Sequence, residues 1–224
     1  MRLESFVATY PRLFHMAEDG SWPSIQRHGL LSTSALLVKW EYSEKDRAAI
    51  CCMHRPKCFP IEHKQYGRAV LRDQKAIDPD KLKKCLVGMT EEEWYRLLNS
   101  KVFFWPDPQA LIWFLGATAY INNPHVVITI DTRRLLGKYA DKIALSAINT
   151  GSTFPRKNQI NPEPRGRDTF KRISEYQMSK ARELAVDNCV QDVVSFAISV
   201  DRLVLRKKDS EPEKLETLWQ PNYH

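Results

Sequence analysis

Residues Phe14 to Ser32 read FHMAEDGSWPSIQRHGLLS and hold one complete change of secondary structure. The run Arg12-Leu13-Phe14-His15-Met16 has strand composition, and its two-residue period sets His15 on the face of Leu13, opposite Phe14 and Met16. A short helix from Pro23 to His28 follows. Ser21 is placed to cap it, Pro23 suits its first turn and Gly29 can end it. Taken singly, a histidine in an apolar strand identifies no function.

Working outward, Lys39 to Lys75 shows little periodicity apart from Arg68-Ala69-Val70-Leu71-Arg72 and reads as an irregular insertion leading into a strand. Asp78-Pro79 opens a helix that ends near Gly88, and Thr90-Glu91-Glu92-Glu93 is a capping-box pattern that opens another. Lys101 to Trp105 has strand composition and feeds the amphipathic helix PQALIWFLGATAY. HVVITID is a β-branched strand, TRRLLGKYA one or two helical turns, and IALSAIN another strand. Glu183 to Val186 and Asp192 to Leu205 read as the final strands, followed by a frayed, charged tail, 207–224. Strands separated by single helices without βαβ alternation predict one α+β domain over 1–206, around a mainly antiparallel or mixed sheet.

The 34 Lys+Arg against 27 Asp+Glu give a formal charge of +7, which favours polyanionic partners. No apolar run is long enough to cross a bilayer, and MRLESFVATYPRLFH lacks the layout of a signal peptide. Five cysteines at irregular spacing do not suit a disulfide framework. These features predict a soluble, cytoplasmic protein with no membrane partner. Cys51, Cys52, His54, Cys58 and His63 are metal-ligand types, but their spacing fits neither paired C-x-x-C nor the finger pattern, so no metal is expected.

From Phe154 to Arg182, eight basic side chains (Arg156, Lys157, Arg165, Arg167, Lys171, Arg172, Lys180, Arg182) outnumber three acidic ones (Glu163, Asp168, Glu175), a balance of +5. This loop delivers the chain to Glu183, at the mouth of a strand. The pleat sets Leu184 and Val186 on one face and Glu183 with Ala185 on the other, so the acid points away from the apparent core. Periodicity alone reads it as a solvated strand end.

Two motifs together are more informative. His15, the following short helix and His28-Gly29-Leu30-Leu31-Ser32 resemble the opening of the ADP-ribosyltransferase fold in DarT-type toxins. Ala181 to Val186 is similar to the strand on which that family carries its catalytic glutamate. The chain also looks like a group of uncharacterised bacterial proteins sharing stretches that occur here as Val102 to Trp105, Asn149 to Thr153 and Arg165 to Phe170.

The resemblance, over most of 10–200, implies an ADP-ribosyltransferase-like split sheet with flanking helices and transfer of ADP-ribose from NAD, which is substrate rather than resident cofactor. Cleaving the nicotinamide–ribose bond develops an oxocarbenium-like centre, which a carboxylate stabilises. The resemblance assigns this role to Glu183 and places Arg72 at the pyrophosphate or the acceptor proton, with Arg68 as a substitute. His15 and Ser32 would bind NAD, and Phe104 or Trp105 would form a nicotinamide wall, with only one face of Val102 to Trp105 able to line a cleft. Tyr120 would supply a second ring. The loop before Glu183, with Arg165, Arg167, Phe170 and Arg182, would hold the acceptor, a single-stranded DNA or RNA base.

Enzymes of this fold that modify protein arginine carry a second acid two residues before the glutamate; Ala181 stands there. A toxin or phage-defence role follows from the resemblance, with the antitoxin or reversing hydrolase unidentified. The rivals are an NAD glycohydrolase or RNA 2′-phosphotransferase of the same fold, and a catalytically silent nucleic-acid-binding module.

Overall fold

The computed structural model describes residues 3–155, 158–208 and 210–221. Eight strands carry its core: β1 (Arg12–Glu18), β2 (Lys101–Phe104), β3 (His125–Asp131), β4 (Ile143–Ser146), β5 (Lys171–Arg172), β6 (Glu183–Asp187), β7 (Ala197–Val204) and β8 (Glu213–Trp219). They form two antiparallel four-stranded sheets, ordered β1-β3-β7-β8 and β5-β4-β6-β2. The sheets meet where Phe14 and Trp105 exchange backbone hydrogen bonds of 3.0 and 2.8 Å. Leu13, Val126, Ile128 and Val200 from one sheet, and Phe104, Leu145, Leu184 and Val186 from the other, join in one buried apolar cluster.

Among the described residues there are eight α-helices: α1 (Leu3–Thr9), α2 (Trp22–His28), α3 (Thr33–Lys39), α4 (Glu44–Cys52), α5 (Pro79–Cys85), α6 (Glu91–Asn99), α7 (Pro108–Leu115) and α8 (Thr132–Tyr139). The architecture is α+β. No described helix is long and apolar enough to cross a membrane. The capping box of α6 is present, with Thr90 Oγ1 accepting from the Glu93 N–H and Glu93 from the Thr90 N–H. Gly29 ends α2 at φ 81°, and a Cβ there would lie 2.5 Å from Gln191 Cα, so both conformation and space require glycine.

Several local expectations are corrected. Ser21 does not cap α2: its backbone is helical and its side chain makes no cap bond. The stretch from Lys39 to Lys75 is ordered, as α4 and an antiparallel hairpin, Phe59–His63 with Gly67–Leu71, whose inward residues Ile61, Ala69 and Leu71 share a small core with Leu37 and Trp40. Helix α7 stops at Leu115, where Gly116 intervenes, well short of Tyr120. The strand expected from Asp192 starts at Ala197, as β7, because Val193–Ser195 take a 3-10 turn. The tail is not frayed throughout: β8 pairs with β7, and the Trp219 ring lies 6.2 Å from that of Trp22.

The face question in β2 has a direct answer. Val102 and Phe104 point into the main core at 3% and 0% exposure, and Phe103 and Trp105 take the other side. Phe104→Ala should therefore lower stability by about 3–5 kcal/mol, measured by urea unfolding. A loss below ~1 kcal/mol would place Phe104 outside the core.

Candidate functional site

A cleft of about 480 Å³ opens beside the junction of the two sheets. Its wall takes His15 from β1, Ser32 from the start of α3, Arg72 from just after the hairpin, Trp105 from the end of β2, Tyr120 from beyond α7, and Arg182 with Glu183 from the mouth of β6. Residues separated by much of the chain thus face one space.

Glu183 is the most unusual of them. It is only 5% exposed, because loop 149–152 covers the strand face that the pleat turned away from Leu184. The solvated strand end expected from periodicity is overturned, and Ala185 on the same side is buried as well. Thr150 holds the carboxylate twice, through its N–H at 3.1 Å and its hydroxyl at 2.7 Å, both to Oε2. Burial raises the Glu183 pKa to about 7, outweighing the Thr150 bonds and the charges of Arg165 and Arg182. A carboxylate poised near neutrality at a cleft wall is suited to functional work.

His15 is held by Nδ1, 2.8 Å from the Phe103 carbonyl. A carbonyl only accepts, so Nδ1 carries the proton and Nε2 keeps its lone pair. Burial depresses the pKa to about 4, with the Arg72 charge adding to it. The ring is neutral at physiological pH and offers an acceptor.

Arg72 donates Nη1 to Glu18 Oε2 at 2.7 Å and lies 5.0 Å over the Tyr120 ring. The Tyr120 hydroxyl donates to Asp73 at 2.6 Å. Trp105, Phe114 and Tyr120 make a row of rings with centroids 4.7 and 4.8 Å apart. Ser32 reaches the cleft, but its hydroxyl is committed to the Ala35 N–H as the cap of α3. Arg68 is exposed and outside the wall, so Arg72 is the arginine at the cleft.

Four sequence candidates lie elsewhere. Phe104 is in the main core beside the His15 ring, and the aromatic facing the cleft is Trp105. Arg165, 3% exposed, gives its guanidinium to the carbonyls of Ser152, Thr150 and Glu163, so it braces the loop that holds Glu183. Arg167 pairs with Glu93 at 2.8 Å. Phe170 packs on Trp94 and Phe103 under Lys101. Of the proposed acceptor residues only Arg182 reaches the cleft, stacked 5.0 Å over the half-exposed Trp113. Arg156 and Lys157 lie outside the described residues.

The sequence reading missed Thr150, Arg55 and Trp113 as wall residues. Thr150 sits in the Asn149 to Thr153 stretch already singled out; Arg55 carries no comparable signal. The cysteines take separate partners, Cys51 with Ser34, Cys52 with Arg96 and Cys58 with Asp73, and among the described residues no His, Cys, Asp or Glu group is arranged to hold a metal.

Residues 11–202 match the family described as "Family of unknown function (DUF7002)", and the chain belongs to it. No curated protein and no solved structure matches the chain.

The Glu183 shift makes a stability prediction. The folded protein binds this proton more tightly than the unfolded chain, so stability falls as pH rises from about 4.5 to about 7. Glu183→Gln keeps an acceptor for Thr150 and removes the buried charge. It should stabilise by up to about 3 kcal/mol near pH ~8 and by little near pH ~5, measured by denaturant unfolding. An equal effect at both pH values would show that the carboxylate is not desolvated.

Proposed function

We propose that the protein is an NAD-dependent ADP-ribosyltransferase of the cytoplasm that modifies a base of single-stranded DNA or RNA. The observation that carries this reading is the convergence of His15, Arg72 and Glu183 on one cleft at the junction of two antiparallel sheets. A split sheet with its cleft at the seam is the arrangement that the motif resemblance implies.

The chemistry assigns each residue one task. Glu183 Oε2 is fixed by Thr150, while Oε1 accepts no hydrogen bond among the described residues and can face the ribose, stabilising positive charge as the bond to nicotinamide breaks. The neutral His15 offers Nε2 to a ribose hydroxyl, which orients the donor. Trp105 gives the nicotinamide a flat apolar wall. The acceptor enters past Trp113 and Phe154, exposed by 51% and 68% and capped by Arg182 and Lys81. Rings paired with cations suit base stacking. A defence or toxin role belongs to the same reading.

The test supplies labelled NAD with single-stranded DNA, RNA or protein. Label should move to nucleic acid with release of nicotinamide, and Glu183→Ala should slow this by about a hundredfold to a thousandfold. Free ADP-ribose as the sole product would mean a glycohydrolase, and no NAD consumption with any acceptor would sink the reading. Because the ionised carboxylate is the working form, kcat/KM should climb as pH rises and level off above about 7. A rate that falls across that range would instead assign Glu183 as an acid.

A further inference from the structure

The cleft wall holds a partly buried cation that, among the described residues, has no carboxylate partner. Arg55, beyond the end of α4, donates Nε to the Arg72 carbonyl at 2.6 Å and Nη2 to Asn99 Oδ1 at 3.2 Å and Thr33 Oγ1 at 3.4 Å. These acceptors are all neutral. Among the described residues no carboxylate pairs with it, and the Asp73 charge acts only through space, its oxygens being held by Tyr120 and Cys58. Its Nη1 is buried with no partner.

The neighbouring arginine repeats the pattern. Arg72 gives Nη1 to Glu18, but its Nη2 is likewise buried and unpartnered. Both side chains line the cleft, and the Arg55 Nε bond to the Arg72 carbonyl ties one to the other. Buried donors without acceptors are rare because each forfeits its hydrogen bonds to water. Two within one cleft wall, both guanidinium, call for an anionic acceptor with several oxygens.

We propose that Arg55 and Arg72 form an anion subsite that takes the phosphate groups of a nucleotide diphosphate. Guanidinium forks match phosphate oxygens in geometry and charge. Glu18 already offsets part of the Arg72 charge, so Arg55 supplies the uncompensated attraction. The bonds from Arg55 to Asn99 and Thr33 fix its plane before the ligand arrives. A cleft of about 480 Å³ has room for a nucleotide. The inference deepens the NAD reading and rests on it only for the identity of the nucleotide.

Calorimetry on the full chain with ADP, adenosine and inorganic pyrophosphate tests the subsite. ADP should bind at least about tenfold more tightly than adenosine, and pyrophosphate should compete with it. Arg55→Met should weaken ADP by about tenfold to a hundredfold and leave adenosine unchanged. Should that variant fail to fold by circular dichroism, Arg55→Lys keeps the charge without the fork and should still weaken ADP several-fold. Equal affinities for ADP and adenosine, no competition by pyrophosphate, or an ADP affinity indifferent to both substitutions would overturn the proposal. Arg55-dependent ADP binding in a protein that leaves NAD intact would keep the subsite and sink the transferase reading. NAD turnover with ADP affinity indifferent to Arg55 would do the reverse.

Discussion

Two backbone hydrogen bonds, from Phe14 to Trp105 and back, hold the geometry of the cleft. They are the ladder contact between β1 of one sheet and the chain leaving β2 of the other. The cleft opens beside that contact, with His15 and Trp105 on its wall. The same register brings the Phe103 carbonyl to His15 Nδ1, so one contact fixes both the seam and the tautomer of the histidine beside it. It also sorts the two sides of β2: Phe104 is locked into the core, while Trp105 lines the cleft and packs on Phe114.

The cleft is built against electrostatic ease. Glu183 is pushed toward its neutral form, His15 is kept neutral, and Arg55 is paired with no carboxylate among the described residues. Each arrangement costs folding free energy that a purely structural wall would not spend. Glu183 and His15 also act in opposed directions on stability. Acidification relieves Glu183 as it protonates but destabilises the form that keeps His15 neutral, so the pH dependence of stability between about 4.5 and 6.5 is the difference of two opposing slopes. Concentration of such strained groups in one concavity is the physical signature of a site that a ligand completes.

What could be read from sequence followed the range of the interactions. Local signals transferred well: the Thr90 box, the positive-φ Gly29 and the β-branched strand at His125–Asp131 depend on neighbours a few residues away. The pleat correctly separated Glu183 from Leu184 and Val186, but it could not say what covers the second face. That cover is loop 149–152, braced by Arg165, a contact no period encodes. Helix α4 was hidden for another reason: EKDRAAICC has no clear apolar stripe, although Ser43 caps it on the Asp46 N–H. The tail strand was missed because charged alternation at a sheet edge resembles a disordered tail until a partner strand is known.

The basic loop shows how composition misleads when charges are counted without their partners. Arg165 is inside, spent on carbonyls; Arg167, Lys171 and Arg172 pair with Glu93, Asp168 and Asp187. Among the described residues, three of the segment's basic side chains are thus paired with acids, two of those acids, Glu93 and Asp187, coming from outside it. Arg182 alone of the four named acceptor candidates reaches the cleft, and it does so stacked on Trp113. Under the proposed reading, a base stacked on Trp113 or Phe154 would gain dispersion and cation–π contact that salt screens weakly, whereas phosphate contacts would lose affinity steeply as salt rises.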